Sequence, residues 1–223
     1  MKRLAIWSVL ALAWAAPAQV ATQANSTYQT EEQRKAVAKT LADPNREETQ
    51  RPGKLVRDMG VKAGTTVADV GTGIGYMLPF LSKAVGPAGH VIAEDIFDDF
   101  LEGAKQHVQA LNLTNITFVK GTATDVNLSE GKADVVLALD AYHHFDYPEK
   151  MLASIAKGLK PDGGLIIVDY YKRPEAMANN RALTHIRLDM PDVIKEVETN
   201  GFHLVSEKEH IKNVQYLLVL EKK

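Results

Sequence analysis

The sequence predicts an α/β domain built on a mostly parallel, doubly wound sheet. Three observations carry that reading. From Thr65 onward, short apolar runs rich in β-branched residues alternate with segments of helical period. A glycine-rich turn follows the first of these runs. The composition, 45% hydrophobic and 24% charged over 223 residues, is that of an ordinary globular chain. A chain of this length buries roughly 70% of the surface its unfolded form exposes, so a core is available without disulfide or metal staples. The absence of Cys excludes disulfide frameworks, thiolate nucleophiles, Cys-ligated zinc and iron–sulfur clusters. The net charge is −2 and no long Lys/Arg run interrupts it, so a nucleic-acid partner is not expected.

Residues 1–18 read as a secretory signal peptide. Lys2 and Arg3 give a positive start, Leu4 to Ala16 is an apolar run broken only by Ser8, and Ala16-Pro17-Ala18 supplies a small-x-small cleavage pattern. The apolar run rises only about 20 Å as a helix, less than the roughly 30 Å of a bilayer core. The expectation is a periplasmic or secreted product with no stable membrane span after cleavage. Residues 19–58 form an N-terminal leader with a short helical segment. Gln19 to Thr30 is polar and reads as weakly ordered, Glu31 to Leu41 carries Val37, Ala38 and Leu41 on one helical side, and Asp43-Pro44-Asn45 ends that helix.

Residues 59–223 form the main domain. Strands are predicted over Thr66 to Val70, His90 to Asp95, Ile116 to Val119, Asp134 to Leu139 and Leu165 to Asp169. Between them lie helical faces made by Met77, Leu81, Ala84 and Val85, by Leu101, Ala104, Val108 and Leu111, and by Met151, Leu152, Ile155, Ala156 and Leu159. The stretch from Lys120 to Ala133 is too short and polar for a strong helix. A further helix runs from about Pro191 to Asn200, with Pro at its start and Gly201 past its end. Phe202 to Val205 and Val214 to Leu220 then follow without an intervening helix, which implies an antiparallel edge closing the sheet.

The segment Val67-Ala68-Asp69-Val70-Gly71-Thr72-Gly73-Ile74-Gly75 places a glycine turn between the first strand and the first helix of the domain. There the backbone can approach a ligand and the helix N-terminus points at it. Asp95, 20 residues after Gly75 at the end of the second strand, can accept hydrogen bonds from both hydroxyls of a ribose. Glu94 is its rival. Adjacent strand side chains point to opposite faces, so one of the pair is expected to reach a nucleoside, and the choice falls on Asp95.

From Gly64 to the C-terminus the chain resembles the class I S-adenosylmethionine-dependent methyltransferases. The resemblance runs in order through Val67–Gly75, Gly89-His-Val-Ile-Ala-Glu-Asp95, Ala133-Asp-Val-Val-Leu-Ala-Leu139, the Tyr142-His143-His144-Phe145 segment with its following Pro148 helix, and Leu159-Lys-Pro-Asp-Gly-Gly-Leu-Ile-Ile-Val168. It implies a Rossmann-like methyltransferase sheet of about seven strands with an antiparallel last strand, and S-adenosyl-L-methionine as cofactor. It also implies that Gly71, Thr72, Gly73 and Gly75 carry the methionine end and that Asp69 orders the turn and the cofactor's amino group. Asp95 would hold the ribose, Thr122 and Ala123 would border the adenine, and Ala138 and Leu139 would lend backbone carbonyls. The chain departs from the family pattern at Thr122, where many relatives have Asp; Asp125 is a possible substitute. Dinucleotide-binding domains are the competing family, but their third glycine is missing at the required spacing after Gly71 and Gly73, where Tyr76 stands.

Candidates at the reacting end follow the fourth and fifth strands: Asp140, Tyr142, His143 and His144, then Tyr170, Tyr171 and Lys172. An imidazole titrates near neutral pH, so His143 is the expected general base or acceptor-positioning group, with His144 fixing the loop. Tyr142 and Tyr170 are expected to line the acceptor pocket. Arg46, Arg51 and His185 lie outside the sheet as candidates for a pocket wall, the two arginines reading as solvated charges. His143, His144 and Asp146 have the residue types of a metal site, but none is expected, because neighbouring histidines usually diverge and His185 and His203 lie on other elements. The expected function is methyl transfer to a small-molecule or membrane-derived acceptor. The alternatives are an exported module that binds a nucleoside or metabolite without turnover and, behind it, a nicotinamide-dependent oxidoreductase.

Overall fold

A computed structural model describes residues 18–223, so the expected signal segment lies outside the described residues but for Ala18. Seven strands make one sheet: β1 (Thr66–Val70), β2 (His90–Asp95), β3 (Ile116–Lys120), β4 (Ala133–Leu139), β5 (Leu159–Tyr170), β6 (Phe202–Ile211) and β7 (Gln215–Lys222). Their order is β3-β2-β1-β4-β5-β7-β6. β1 to β5 are parallel, and β7 runs antiparallel to both β5 and β6. β1 pairs with β2 on one side and β4 on the other, which makes its carboxyl end the point where the winding reverses and where such sheets open a crevice.

Side-chain alternation divides the core into two layers. Val67, Val91, Leu137, Ile166 and Val168 face helices α3 (Pro52–Met59), α4 (Leu78–Val85) and α5 (Asp98–Ala110) through Leu55, Leu81, Val85, Ala104 and Val108. Ala68, Ile92, Val136, Leu165 and Ile167 face helices α6 (Pro148–Gly158) and α8 (Met190–Thr199) through Leu152, Ile155, Val193 and Val197. The remaining α-helices among the described residues are α1 (Glu31–Leu41), α2 (Arg46–Gln50) and the short α7 (Ala182–His185). Thr30 caps α1 by accepting from the Gln33 amide, and Gln33 reaches back to the Thr30 amide. Lys120 to Ala133 crosses between strands without a helix, as its polarity predicts.

Several elements differ from expectation for identifiable reasons. The closing pair is antiparallel, but the last strand takes the inner place. β7 carries a buried run from Tyr216 to Leu218 that suits a strand flanked on both sides, whereas Glu207, Lys208 and Glu209 of β6 are exposed and suit an edge. Those same charges make β6 look like a connection after Val205, yet they pair with β7 as far as Ile211. β5 starts at Leu159 rather than Leu165, because Pro161 to Gly163 form an irregularity in the pairing with β4 instead of a turn outside it. Leu111 stands at the C-cap of α5, 46% exposed, and Phe100 is the buried aromatic of that helix. The leader is packed rather than loose. Ala21 and Ala24 are buried, and the Val20 amide donates to the Asp146 carbonyl.

Candidate active site

The carboxyl ends of β1, β2 and β4 enclose a cleft of about 140 Å³. Its floor is the turn after β1. Gly71 has φ +73°, and a Cβ there would lie 2.8 Å from the Cβ of Ala141, so both the backbone conformation and the close approach of the post-β4 loop require glycine. Gly71, Thr72 and Gly73 line the cleft. Gly75 lies beneath, packed against Leu78 and Ala104 where α4 and α5 meet the turn.

Three carboxylates organise this end. Asp69 accepts from the Thr72 hydroxyl at 2.7 Å. Asp95 accepts from the Gly73 amide through one oxygen and the Phe97 amide through the other, each at 2.9 Å. Glu94 accepts from the Gly71 amide at 3.3 Å, and its other oxygen is buried with no hydrogen-bond partner among the described residues. Burial pushes Asp69 and Asp95 up to about 6, and burial together with Asp95 pushes Glu94 well above the usual carboxylate range. Both Glu94 and Asp95 line the cleft, although one of the pair was expected to reach it, because the cleft lies across the end of β2 rather than on one face of it. Glu94 also explains Gly121: a Cβ there would overlap the Glu94 carboxylate. Thr122 and Ala123 complete this wall. Asp125 does not join them; its carboxylate accepts from the Ser154 hydroxyl and the Asn127 amide. Of the two residues expected to lend carbonyls, Leu139 lines the cleft and Ala138 lies in the core.

The opposite end is assembled from distant segments. Asp140, at φ +52°, accepts from the Gln215 amide group at 2.7 Å and lies 3.7 Å from the Arg46 guanidinium. Burial raises Asp140 to about 6 despite the opposing pull of Arg46. Arg46 is not the solvated charge expected: its side chain is 14% exposed and stacks over Tyr76 at 4.1 Å. Arg51 occupies the left-handed junction between α2 and α3 and is exposed. Tyr28 of the leader stacks among Phe97, Phe100 and His144. Tyr170 binds Gln50 and stands outside the cleft lining.

The histidines converge. The backbone amide and Nδ1 of His143 both donate to Asp169, at 3.0 and 2.7 Å. His143 is 4% exposed, and its Nε2 has no partner among the described residues. His144 lines the cleft, its Nδ1 2.8 Å from Oδ1 of Asn25, whose Nδ2 in turn donates to the His144 carbonyl. His185 lies with its ring centre 4.9 Å from that of His143 and 5.4 Å from that of His144. Burial and the neighbouring rings hold His144 well below the usual imidazole range, and burial holds His185 down at about 3. Of the two expected catalytic residues, neither His143 nor Tyr142 lines the cleft. Tyr142 is buried, its hydroxyl donating to Glu196 at 2.6 Å, and burial with that carboxylate pushes it far up. Asn25 and Tyr28 line the cleft without having been expected there. The lone aromatic of a polar leader was the one available signal.

The architecture and the cleft at its switch point are those of a class I S-adenosylmethionine-dependent methyltransferase fold. A family model described as a methyltransferase domain matches residues 61–219, and the chain belongs to that family. The crystal structure of a SAM-dependent methyltransferase from Aquifex aeolicus is similar with a TM-score of 0.77 at 28% identity, covering 83% of this chain and 96% of that one. The uncharacterized methyltransferase YcgJ of Bacillus subtilis (strain 168) is 26% identical over 149 residues, 65% of this chain and 56% of that protein. The ubiquinone/menaquinone biosynthesis C-methyltransferase UbiE of Pseudomonas fluorescens (strain Pf0-1) is 28% identical over 119 residues, 53% of this chain and 46% of that protein. The chain thus spans about half the length of these curated relatives.

Proposed function

We propose that the protein binds S-adenosyl-L-methionine and transfers its methyl group to a small, aromatic or otherwise largely apolar acceptor. The observation that carries this reading is one cleft with two unlike ends: Gly71, Gly73, Glu94 and Asp95 at one, Asp140, Arg46 and Tyr28 at the other. The donor set fits the cofactor. Asp95 presents a carboxylate where ribose hydroxyls need acceptors, the Gly71–Gly73 backbone leaves room for the methionine end, and Thr122 and Ala123 border the space for the base. Ile96, Phe97 and Met77 add apolar wall. When bound, the cofactor supplies an electrophilic methyl group.

The chain's own contribution is placement and proton handling. Asp140, a buried carboxyl raised to about 6 and lining the cleft, is suited to take a proton from an acceptor at neutral pH. His143, the base expected from sequence, is set behind the cleft lining, so we assign the proton-accepting role to Asp140. Tyr28, Phe97, Phe100 and Phe145 give the cleft an aromatic lining against which such an acceptor can pack. That chemistry agrees with the quinone pathway named for the UbiE relative. Export is proposed on the Lys2-Arg3 start, the apolar run and Ala16-Pro17-Ala18; N-terminal sequencing of the product from its host should begin at Gln19, and an intact Met1 would refute cleavage.

Incubation with methyl-labelled S-adenosylmethionine and a panel of quinols, phenols and thiols tests the function. Label should appear in at least one small acceptor. Stoichiometric binding of the cofactor with no transfer to any acceptor would favour the non-catalytic binding module instead.

A further inference from the structure

We propose that His143, His144 and His185 form a binding site for one divalent first-row transition-metal ion of the imidazole-preferring class, such as zinc or cobalt. The three residues each offer one ring nitrogen, and these atoms lie within 4.8 Å of one another. Nitrogens sharing a tetrahedral ion at about 2.0–2.1 Å stand ~3.3 Å apart, so rotations that move ring atoms by roughly 1 Å would close the set. All three ligands are imidazole nitrogens, a donor set suited to zinc, cobalt or iron(II).

The surroundings of the rings favour ligation over packing alone. A metal-binding histidine usually donates its second ring N–H to a carboxylate or another fixed acceptor, which sets the tautomer and aims the other nitrogen. His143 does this with Asp169, itself 1% exposed, and its Nε2 is left buried and without a partner among the described residues. His144 does the same with Asn25, which also holds the His144 backbone carbonyl. Two adjacent histidines, expected to diverge, are instead tethered twice each by their neighbours. The 3₁₀ turn Tyr142–His144 brings their ring centres to 4.1 Å.

His185 is the adjustable member. It closes the short α7, and its polar contacts are with the Arg181 guanidinium at 3.3 and 3.5 Å. Arg181 is exposed, and both contacts are long, so it can swing into solvent when an ion arrives. Because His144 also lines the cleft, the ion would sit in the wall between the cleft and the core. Three protein ligands leave at least one coordination position for water or another oxygen or sulfur donor.

The test uses the tag-free chain, stripped with a chelator and then titrated with Zn²⁺ by calorimetry and with Co²⁺ by its visible absorption. The parent should take up one ion per chain, with the intense d–d bands of a low-coordinate cobalt site. His185→Gln and His143→Gln should each weaken binding at least 100-fold, and Asn25→Ala should weaken it about 10-fold through loss of the outer contact. Melting temperature and S-adenosylhomocysteine binding report that each variant is folded. His185→Gln, on a short peripheral helix, keeps the test decisive where His143→Gln fails to fold. Absence of stoichiometric uptake would overturn the proposal. So would binding that survives His185→Gln and disappears with His203→Ala, which would place the ion at the exposed His203–Glu221 pair.

Discussion

The nucleoside end of the cleft is held by neighbours in the sheet, and the reacting end is held by segments far apart in the chain. At the first, Asp95 and Glu94 bind amides of the adjacent β1 turn, and Asp69 binds a residue three positions away. At the second, Asn25 reaches His144 across 119 positions, Gln50 reaches Gln215 across 165, and Arg46 faces Asp140. The first end therefore rests mainly on contacts between adjacent strands and their turns, while the second needs contacts from the leader and α2. In physical terms, the proposed cofactor end rests on short-range geometry, and the proposed acceptor end rests on parts that can be exchanged without rebuilding the sheet.

The largest effect is expected from breaking the nucleoside end at its floor. Gly71→Ala forces a side chain into a left-handed conformation and into Ala141, at a cost of about 2–3 kcal/mol. Its melting temperature should fall by roughly 5–10 °C, with loss of S-adenosylhomocysteine binding in calorimetry. The reacting end should separate from binding. Asp140→Asn should lower kcat by ~100-fold, in the range for loss of a general base, while the S-adenosylhomocysteine dissociation constant changes less than about threefold. Equal losses in both would remove the distinction between the two ends. Tyr28→Ala removes an aromatic contact worth about 0.5–1.5 kcal/mol; the acceptor KM should rise by up to ~10-fold at constant cofactor affinity.

The smallest effect concerns pH. Asp69, Asp95 and Asp140 are raised from 3.8 to about 6, so the folded chain binds more protons than the unfolded chain between those values. Stability contributed by these groups is greatest at the acidic side of that window and falls as pH rises through it. His144 and His185, held down, act in the opposite sense and lose their contribution as pH falls below the usual imidazole range. The share of the acids is therefore read by difference: the melting temperature of Asp95→Asn relative to the parent should be lower at about pH 5 than at about pH 7.5. A difference that is the same at both pH values would contradict the burial of Asp95 as a raised acid.

The same division governs what could be read from sequence. β1, β2 and α1 lie where periodicity and capping put them, because hydrophobic alternation and local caps act over a few residues. That Gly71, Gly73 and Asp95 meet at one cleft follows for the same reason: turn, acid and strand end are close in sequence or on adjacent strands. The β6–β7 order does not, since only the burial of both β7 faces against the exposed charges of β6 decides which strand takes the edge. Nor does the place of Arg46, Asn25 or Tyr28, whose partners lie on other elements. His143 illustrates the limit: its type suggests a base, but it is buried on Asp169 outside the cleft lining, between the rings of His144 and His185.

The most direct test of the cofactor assignment is calorimetric titration of the protein and its Asp95→Ala variant with S-adenosylhomocysteine, with NADH in parallel. The account predicts one site per chain for the sulfur nucleoside, weakened ~30- to 100-fold in the variant by loss of a charged hydrogen-bond acceptor, and no saturable heat with NADH. Saturable NADH binding, or sulfur-nucleoside binding that Asp95→Ala leaves unchanged, would contradict it.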